Sequence, residues 1–184
     1  MGGHLNAYTS REQTTYVSRV FKDDLEQGVE ILSDILLNSE YSESAIQQER
    51  GVILRESEEV AKQMEEVIMD QLHETAFQDS SLGLTILGSE ENIKTISRDD
   101  IVQYVSEHYT ADRMVLVGVG AVEHNNLVDM ANKHFSSLSP SSSSTPPTPP
   151  PSRFVGSDKR IRFDSMSEAH VAVAFQGASW TSGF

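Results

Sequence analysis

The stretch from Ser42 to Gln78 constrains the fold more than any other part of the sequence. It contains no proline, Ser42 is a good N-cap residue, and Glu43 places a carboxylate in the first turn. Apolar residues recur there at spacings of three, four and seven, which indicates a buried stripe on a helix: Ile46, Ile53, Val60, Met64, Val67, Ile68 and Leu72. We therefore predict a single long helix over residues 42–78.

The acidic residues of this helix are unevenly distributed. Glu49, Glu56 and Asp70 are separated by multiples of seven, so a continuous helix places them within about 60° of one another, with Glu66 nearby. A solvated face is the more common explanation of such a helix. The pattern alone does not decide between that face and a functional site.

Composition excludes several classes of function. The 184 residues carry a net charge of −14, which argues against nucleic acid as a partner, because phosphate binding relies on clustered Lys and Arg. The same charge is compatible with a basic peptide substrate. The chain has no cysteine, so neither disulfides nor thiolate metal sites are available. The longest apolar run, Met114 to Val122, is too short for a transmembrane segment.

The rest of the chain predicts an α+β fold: a mixed, mainly antiparallel sheet with helices packed on one face. A capping box with Asp23 as N-cap and Glu26 closing it begins one helix, and Ser97 caps another that ends near His108. The predicted strands are 4–10, 13–20, 113–122, 158–163 and 170–179.

The composition changes abruptly after residue 138. All 6 prolines fall between residues 140 and 151, among many serines, so we expect residues 139–153 to form an extended, mobile linker or loop. The predicted organisation is one partial domain over 1–138, this linker, and continuing strands of the same domain over 154–184.

Four sequence blocks carry a family resemblance. They are GGHLNAYTSREQTTY (2–16), QQERGVILRESEEV (47–60), LGLTILGSEENIKTISRDD (82–100) and YTADRMVLVGVGAV (109–122). Together, and in this order, they resemble the pitrilysin-type zinc metallopeptidases, in particular the β type of processing peptidase. The resemblance implies that Glu56 is a zinc ligand and that Glu49 is a carboxylate supporting it. It further implies that Asn6, Ala7 and Tyr8 lie on an edge strand that binds substrate, and that Glu66 and Asp70 bind a substrate arginine.

The family's inverted zinc motif, H-x-x-E-H, does not occur in the sequence. The two Glu-His pairs, at 107–108 and 123–124, have Tyr104 and Gly120 where the first histidine would stand. In the family this motif lies upstream of the first block. We therefore expect a missing N-terminal segment and no catalytic residue in this chain. On its own the segment would bind no zinc and would be inactive.

The resemblance implies a mitochondrial zinc metalloendopeptidase that removes presequences from imported precursors. Such an enzyme works as a heterodimer with an α subunit, in the matrix or at the matrix face of the inner membrane. An alternative stays open: a non-catalytic core subunit of the respiratory bc complex has the same fold. Another is a gene product with no activity of its own.

Overall fold

In this computed structural model the chain has an α+β fold, as predicted; the structure describes residues 2–141, 150–179 and 182–183. The elements in these ranges are β1 His4–Thr9, β2 Thr14–Arg19, α1 Leu25–Leu37, α2 Glu43–Val60, α3 Met64–Ala76, α4 Glu90–Thr95, α5 Arg98–His108 and α6 His124–His134. None of these helices combines the length and the apolar character that crossing a lipid bilayer requires.

The chain divides into two compact units. One consists of Met1–Gln47 and Ile96–Pro147, and the other of Gln48–Thr95 and Thr148–Phe184. The hairpin, α1, α5 and α6 therefore belong to the first unit. Helices α3 and α4 and most of α2 belong to the second.

The first unit is built on the hairpin of β1 and β2, which pair antiparallel. The Ser10 N–H donates to the Gln13 carbonyl at 2.8 Å and closes the turn. Helix α1 packs against β2 and buries Val29. A Cβ on Gly28 would meet the Val20 side chain at 3.2 Å, so a larger residue here would require that side chain to shift slightly. The strands predicted over 4–10 and 13–20 and the helix predicted to follow them are confirmed.

The capping box predicted for α1 is wrong. A 3-10 turn, Lys22–Asp24, leads into the helix, whose N-cap makes no side-chain hydrogen bond. Glu26 instead forms a salt bridge with Lys133 of α6. The hydrogen bond between the two side chains lowers the pKa of Glu26 and raises the pKa of Lys133, and their opposite charges add to both shifts.

The N-terminal cap predicted for α5 is confirmed, and the structure shows that it is a capping box. Ser97 Oγ accepts the Asp100 N–H, and the Asp100 carboxylate accepts the Ser97 N–H at 2.8 Å. The hydrogen bonds from Ser97, the hydroxyl first and then the backbone, lower the pKa of Asp100. The Ser97 hydroxyl and the Asp100 carboxylate thus each accept a backbone N–H at the start of the helix that would otherwise lack a partner in it.

Two tyrosines link the sheet to the segment after α5. The Tyr16 and Tyr109 hydroxyl oxygens are 3.1 Å apart. They line a cavity of about 270 Å³ together with Tyr41, Tyr104 and apolar side chains of α1 and α5. Burial raises the pKa of Tyr109, and the hydrogen bond with Tyr16 raises it further. The Tyr109 phenol is therefore held in its neutral form.

The single helix predicted over residues 42–78 is wrong. Ser42 does cap α2, since its Oγ accepts the Ala45 N–H at 3.4 Å, but a turn at residues 61–63 separates α2 from α3. The Gln63 N–H donates to the Val60 carbonyl at 2.9 Å, three residues back instead of four. Gln63 has ψ of 96°, far from the helical value of about −42°, so the helix cannot continue through it.

Three predicted strands, 113–122, 158–163 and 170–179, are not formed in the described residues. Val115, Val117 and Val119, at 87%, 72% and 94% exposure, show that the first of them is not buried either. Apolar β-branched residues favour a strand only where a neighbouring strand pairs with their N–H and C=O groups. Within the described ranges none does so, and the sheet has two strands.

The predicted linker, residues 139–153, lies partly outside the described residues, which do not include 142–149. Its first residue is attached to the first unit, because the Ser139 carbonyl accepts the Ala111 N–H at 2.9 Å. The domain boundaries stay predictions.

Candidate functional site

Two of the predicted site residues share helix α2. Glu49 and Glu56 lie two turns apart, about 10 Å along the axis and about 20° apart around it. Both are exposed, and both border the half-buried stripe that includes Ile46, Ile53 and Val60. The helix therefore presents the two carboxylates on one side.

Arg50, next to Glu49, holds α2 against α4. Its guanidinium donates to the carbonyl of Ile93, one of the few buried apolar residues in the described part of the chain. These partners are 43 residues apart in sequence, so no local pattern could have indicated the contact. The predicted site residue Glu49 is therefore next to a residue, Arg50, whose structural contact could not be predicted from the sequence.

The acids of α2 do not form a complete metal site. A zinc site in an enzyme needs three protein ligands, with imidazole nitrogen a common donor. The described residues include no group of three His, Cys, Asp or Glu side chains placed to hold an ion. Glu49 and Glu56 supply only carboxylate oxygen. These donors amount to part of a metal site at most.

Glu66 and Asp70 form a second acidic pair, on α3. They are four residues apart, so their side chains are neighbours on the helix surface. Glu66 is exposed and Asp70 is half-buried. Glu74, one turn further on, is bound by Lys159 at 2.6 Å, whereas Glu66 forms no salt bridge with any residue in the described ranges.

The turn at residues 61–63 separates the two acidic pairs. The prediction that Glu49, Glu56, Glu66 and Asp70 share one sector of a single helix is wrong, because the turn interrupts the helical repeat. Each pair is aligned by its own helix. Their relative placement follows from the turn instead of from sequence spacing.

Asn6, Ala7 and Tyr8, the remaining predicted site residues, lie on β1 in the first unit. Every residue of β1 is exposed, and within the described residues the strand pairs only with β2. Its other edge is therefore open. The unpaired N–H and C=O groups of an open edge can pair with an extended peptide.

The hairpin turn identifies which backbone groups reach this open edge. The pair Ser10–Gln13 is hydrogen-bonded, and such pairs alternate along an antiparallel ladder. Tyr8 and Asn6 therefore direct their backbone groups toward β2. Ala7, between them, directs its N–H and C=O to the open edge.

Two family descriptions match this chain over consecutive regions. Residues 1–90 match "Insulinase (Peptidase family M16)", and residues 95–183 match "Peptidase M16 inactive domain". The chain belongs to the M16 peptidase family. Membership of M16 confirms the family resemblance that the four sequence blocks carry.

Curated relatives of this M16 chain include β subunits of mitochondrial-processing peptidases. The chain is 54% identical over 184 residues to the protein of Neurospora crassa and 49% identical over 180 residues to that of Homo sapiens. Each alignment covers 98% of this chain, but only 39% and 37% of those proteins. The chain thus spans about two fifths of the length of the curated relatives it matches.

Solved structures share the M16 fold. The chain matches one titled "Complex III2 from Candida albicans, Inz-5 bound" with a TM-score of 0.76 and 21% identity, over 90% of this chain and 39% of the other. It matches a protease from Helicobacter pylori with a TM-score of 0.72 and 24% identity, over 80% and 36%. At such identities the likeness establishes the fold alone.

Proposed function

We propose that this chain is part of a zinc metalloendopeptidase of the mitochondrial processing-peptidase β type. The observation that carries the proposal is its 54% identity, over 98% of the chain, to the β subunit of Neurospora crassa. The proposed reaction is removal of presequences from imported precursors. The proposed partner is an α subunit, and the proposed location is the mitochondrial matrix or the matrix face of the inner membrane.

Glu56 is proposed as one ligand of Zn²⁺, with Glu49 as the carboxylate that supports it. An exposed carboxylate on a regular helix can supply one oxygen ligand, and the remaining ligands are not among the described donors. When bound, zinc supplies Lewis-acid polarisation and an activated water. The contribution of this chain is to hold the Glu56 carboxylate on a helix that Arg50 anchors.

The other proposed site residues bind substrate. Glu66 and Asp70 offer two neighbouring carboxylates to an arginine guanidinium, which forms bidentate hydrogen bonds with such groups. On β1, which carries the proposed substrate-binding residues Asn6, Ala7 and Tyr8, the backbone groups of Ala7 face the open edge and are offered to an extended peptide. The net charge of −14 favours a basic presequence over an acidic one.

The alternative is a structural core subunit of the respiratory bc complex. The match to the Complex III2 structure has 21% identity and so supports only the shared fold. The much closer relatives carry the name of a peptidase subunit. The peptidase is therefore the better supported proposal.

A chimera tests the proposal. Residues 1–184 replace the matching segment of the Neurospora crassa β subunit, which is then purified with its α subunit. We expect the chimera to bind stoichiometric zinc and to cleave a presequence peptide. Glu56→Gln should abolish both properties, because it removes a charged ligand. Glu58→Gln, an exposed acid on another side of α2, should change neither.

Two results would contradict the proposal. A chimera that assembles and unfolds normally but cleaves nothing would support the structural alternative. Full zinc binding and turnover in the Glu56→Gln chimera would remove Glu56 from the metal site.

A further inference from the structure

The open edge of β1 already has one of its backbone groups occupied. The Asn6 side-chain carbonyl, Oδ1, accepts the Ala7 N–H at 2.9 Å. The ladder phase directs that N–H away from β2, toward the side where an added strand would lie. An incoming peptide and the Asn6 side chain therefore compete for one donor.

We propose that Asn6 controls strand addition at β1: its carboxamide occupies the Ala7 N–H of the open edge until an extended chain displaces it. The inference rests on the proposed binding of peptide at this edge and adds the residue that regulates it. A peptide carbonyl replaces Oδ1 as the acceptor of the Ala7 N–H. The number of hydrogen bonds to that donor does not change.

The exchange favours long extended partners over short ones. Replacing one carbonyl acceptor by another yields little net free energy, so the gain must come from further backbone pairs along the strand. A single hydrogen bond does not offset the conformational entropy that a peptide loses when it binds. The occupied edge also discourages pairing with the edge of another copy, a recognised hazard of exposed strands.

An asparagine suits this role because its side chain resembles a peptide group. Its carbonyl accepts a backbone N–H, and its NH₂ donates to a carbonyl. Asn6 is exposed, so the carboxamide can move without disturbing a packed interior. Substitution at this position should therefore leave the hairpin intact.

The first measurement is amide hydrogen exchange of Ala7 in the 184-residue chain without peptide. The Asn6→Ala variant should lower the protection factor of Ala7 by about three- to tenfold, because the acceptor is lost. Asn6→Asp keeps an acceptor and, being charged, should maintain or raise it. Unchanged protection of Ala7 in Asn6→Ala would overturn the inference.

The second measurement is binding of a neutral, Thr/Val-rich ten-residue peptide, followed by fluorescence anisotropy. Asn6→Ala should bind it about two- to tenfold more tightly than the wild type, and Asn6→Asp more weakly by a similar factor. Asn132→Ala, an exposed asparagine on α6, should match the wild type. A control peptide with alternate N-methylated residues cannot pair with the strand and should show no difference among variants.

The outcomes separate the two proposals. If the wild type binds the peptide and the Asn6 variants bind it equally, the control by Asn6 is refuted while the peptide site stands. An equal gain for the N-methylated peptide would also refute it, since backbone pairing would not be involved. If neither the wild type nor any variant binds, the proposed peptide site is refuted together with this inference.

Discussion

Glu66, like its neighbour Glu65, is an exposed acid on α3 for which the described part of the chain provides no counter-ion. A substrate arginine would fill that role together with Asp70. In the chimera, Glu66→Gln should weaken use of an arginine-containing presequence peptide by about 10–100-fold, or about 1–3 kcal/mol. The measurement is kcat/KM for that peptide and for one with the arginine replaced by alanine.

The control for Glu66 is Glu65→Gln, an exposed acid on another side of the same helix. It should leave kcat/KM for both peptides unchanged. Equal losses for both peptides in Glu66→Gln would show that this acid is an ordinary solvated residue.

Tyr109 makes stability depend on pH in the alkaline range. Burial raises its pKa in the folded state, so the unfolded chain loses this proton first, near pH 10. The contribution is fully present below about pH 10 and is lost as pH rises further, because the unfolded state then binds fewer protons. Urea unfolding between pH 8 and about 11 should show that decline in the free energy of unfolding. In Tyr109→Phe the decline should be smaller, because the ionisation of this phenol no longer contributes to it.

Tyr109→Phe also deletes the hydrogen bond to Tyr16, which should lower the free energy of unfolding by about 0.5–1.5 kcal/mol at neutral pH. An identical alkaline decline in wild type and variant would exclude Tyr109 as its source.

At this scale the sequence predicted local contacts better than distant ones. The pairing of Ser97 with Asp100 follows from a four-residue motif. The contact of Arg50 with Ile93 spans 43 residues, and that of Glu26 with Lys133 spans 107. Partners so far apart meet only because the fold brings their elements together, so no spacing rule could have identified them.

Among the elements, α5 depends on its N-terminal cap. Ser97→Ala should lower the free energy of unfolding by about 1 kcal/mol, because it removes the acceptor for the Asp100 N–H. Ser106→Ala, near the other end of α5, is the control and should cost much less. Urea unfolding at neutral pH measures both, and equal effects would contradict a specific role of the cap.

The contribution of Asp100, the other residue of this cap, to stability depends on pH in the acidic range. Its pKa is lowered in the folded state, so its contribution is present above the unfolded value of about 3.9 and is lost as pH falls further. The stability difference between wild type and Asp100→Asn should therefore shrink on acidification. A difference independent of pH would contradict this account.

The Ser/Pro-rich segment 139–153 stays a prediction from composition, since 142–149 lie outside the described residues. If it is a linker, proteinase K at a low ratio of protease to protein should cut there first and leave a product that ends near Leu138. Mass spectrometry of the first fragments identifies the site. First cleavage inside α1 or α5 would contradict the boundary.

The sequence predicted the hairpin, α1 and α5, whose signals are local. It failed at residues 61–63, where Ala61 and Lys62 are good helix formers and no proline or glycine marks the break. It also failed at 113–122, where an apolar run indicated a strand without showing what it would pair with. A strand needs a neighbouring strand to pair its backbone N–H and C=O groups, whereas a helix pairs most of these groups within itself.

At the scale of the whole molecule, the described residues include no group of three His, Cys, Asp or Glu side chains that could hold a metal ion. Equilibrium dialysis of the 184-residue chain against micromolar zinc should therefore show no stoichiometric binding, since the described donors do not supply three suitable ligands. The active chimera is the positive control. Stoichiometric zinc that disappears on Glu56→Gln would contradict the expectation.

Fold class and family could be predicted from the sequence because four ordered blocks and the local helix signals agree with each other. The extent of the sheet could not. Val115, Val117 and Val119 have the composition of a buried strand, yet they are exposed, because burial depends on what packs against a segment.

The turn at residues 61–63 has a consequence for how a protein of this kind can diverge. If Glu56 serves chemistry and Glu66 serves recognition, the two tasks belong to separate helices joined by three residues. An insertion in that joint would shift Glu66 and Asp70 without rotating Glu49 or Glu56 within α2. Substrate preference could then drift between lineages while the hydrolytic apparatus is inherited unchanged.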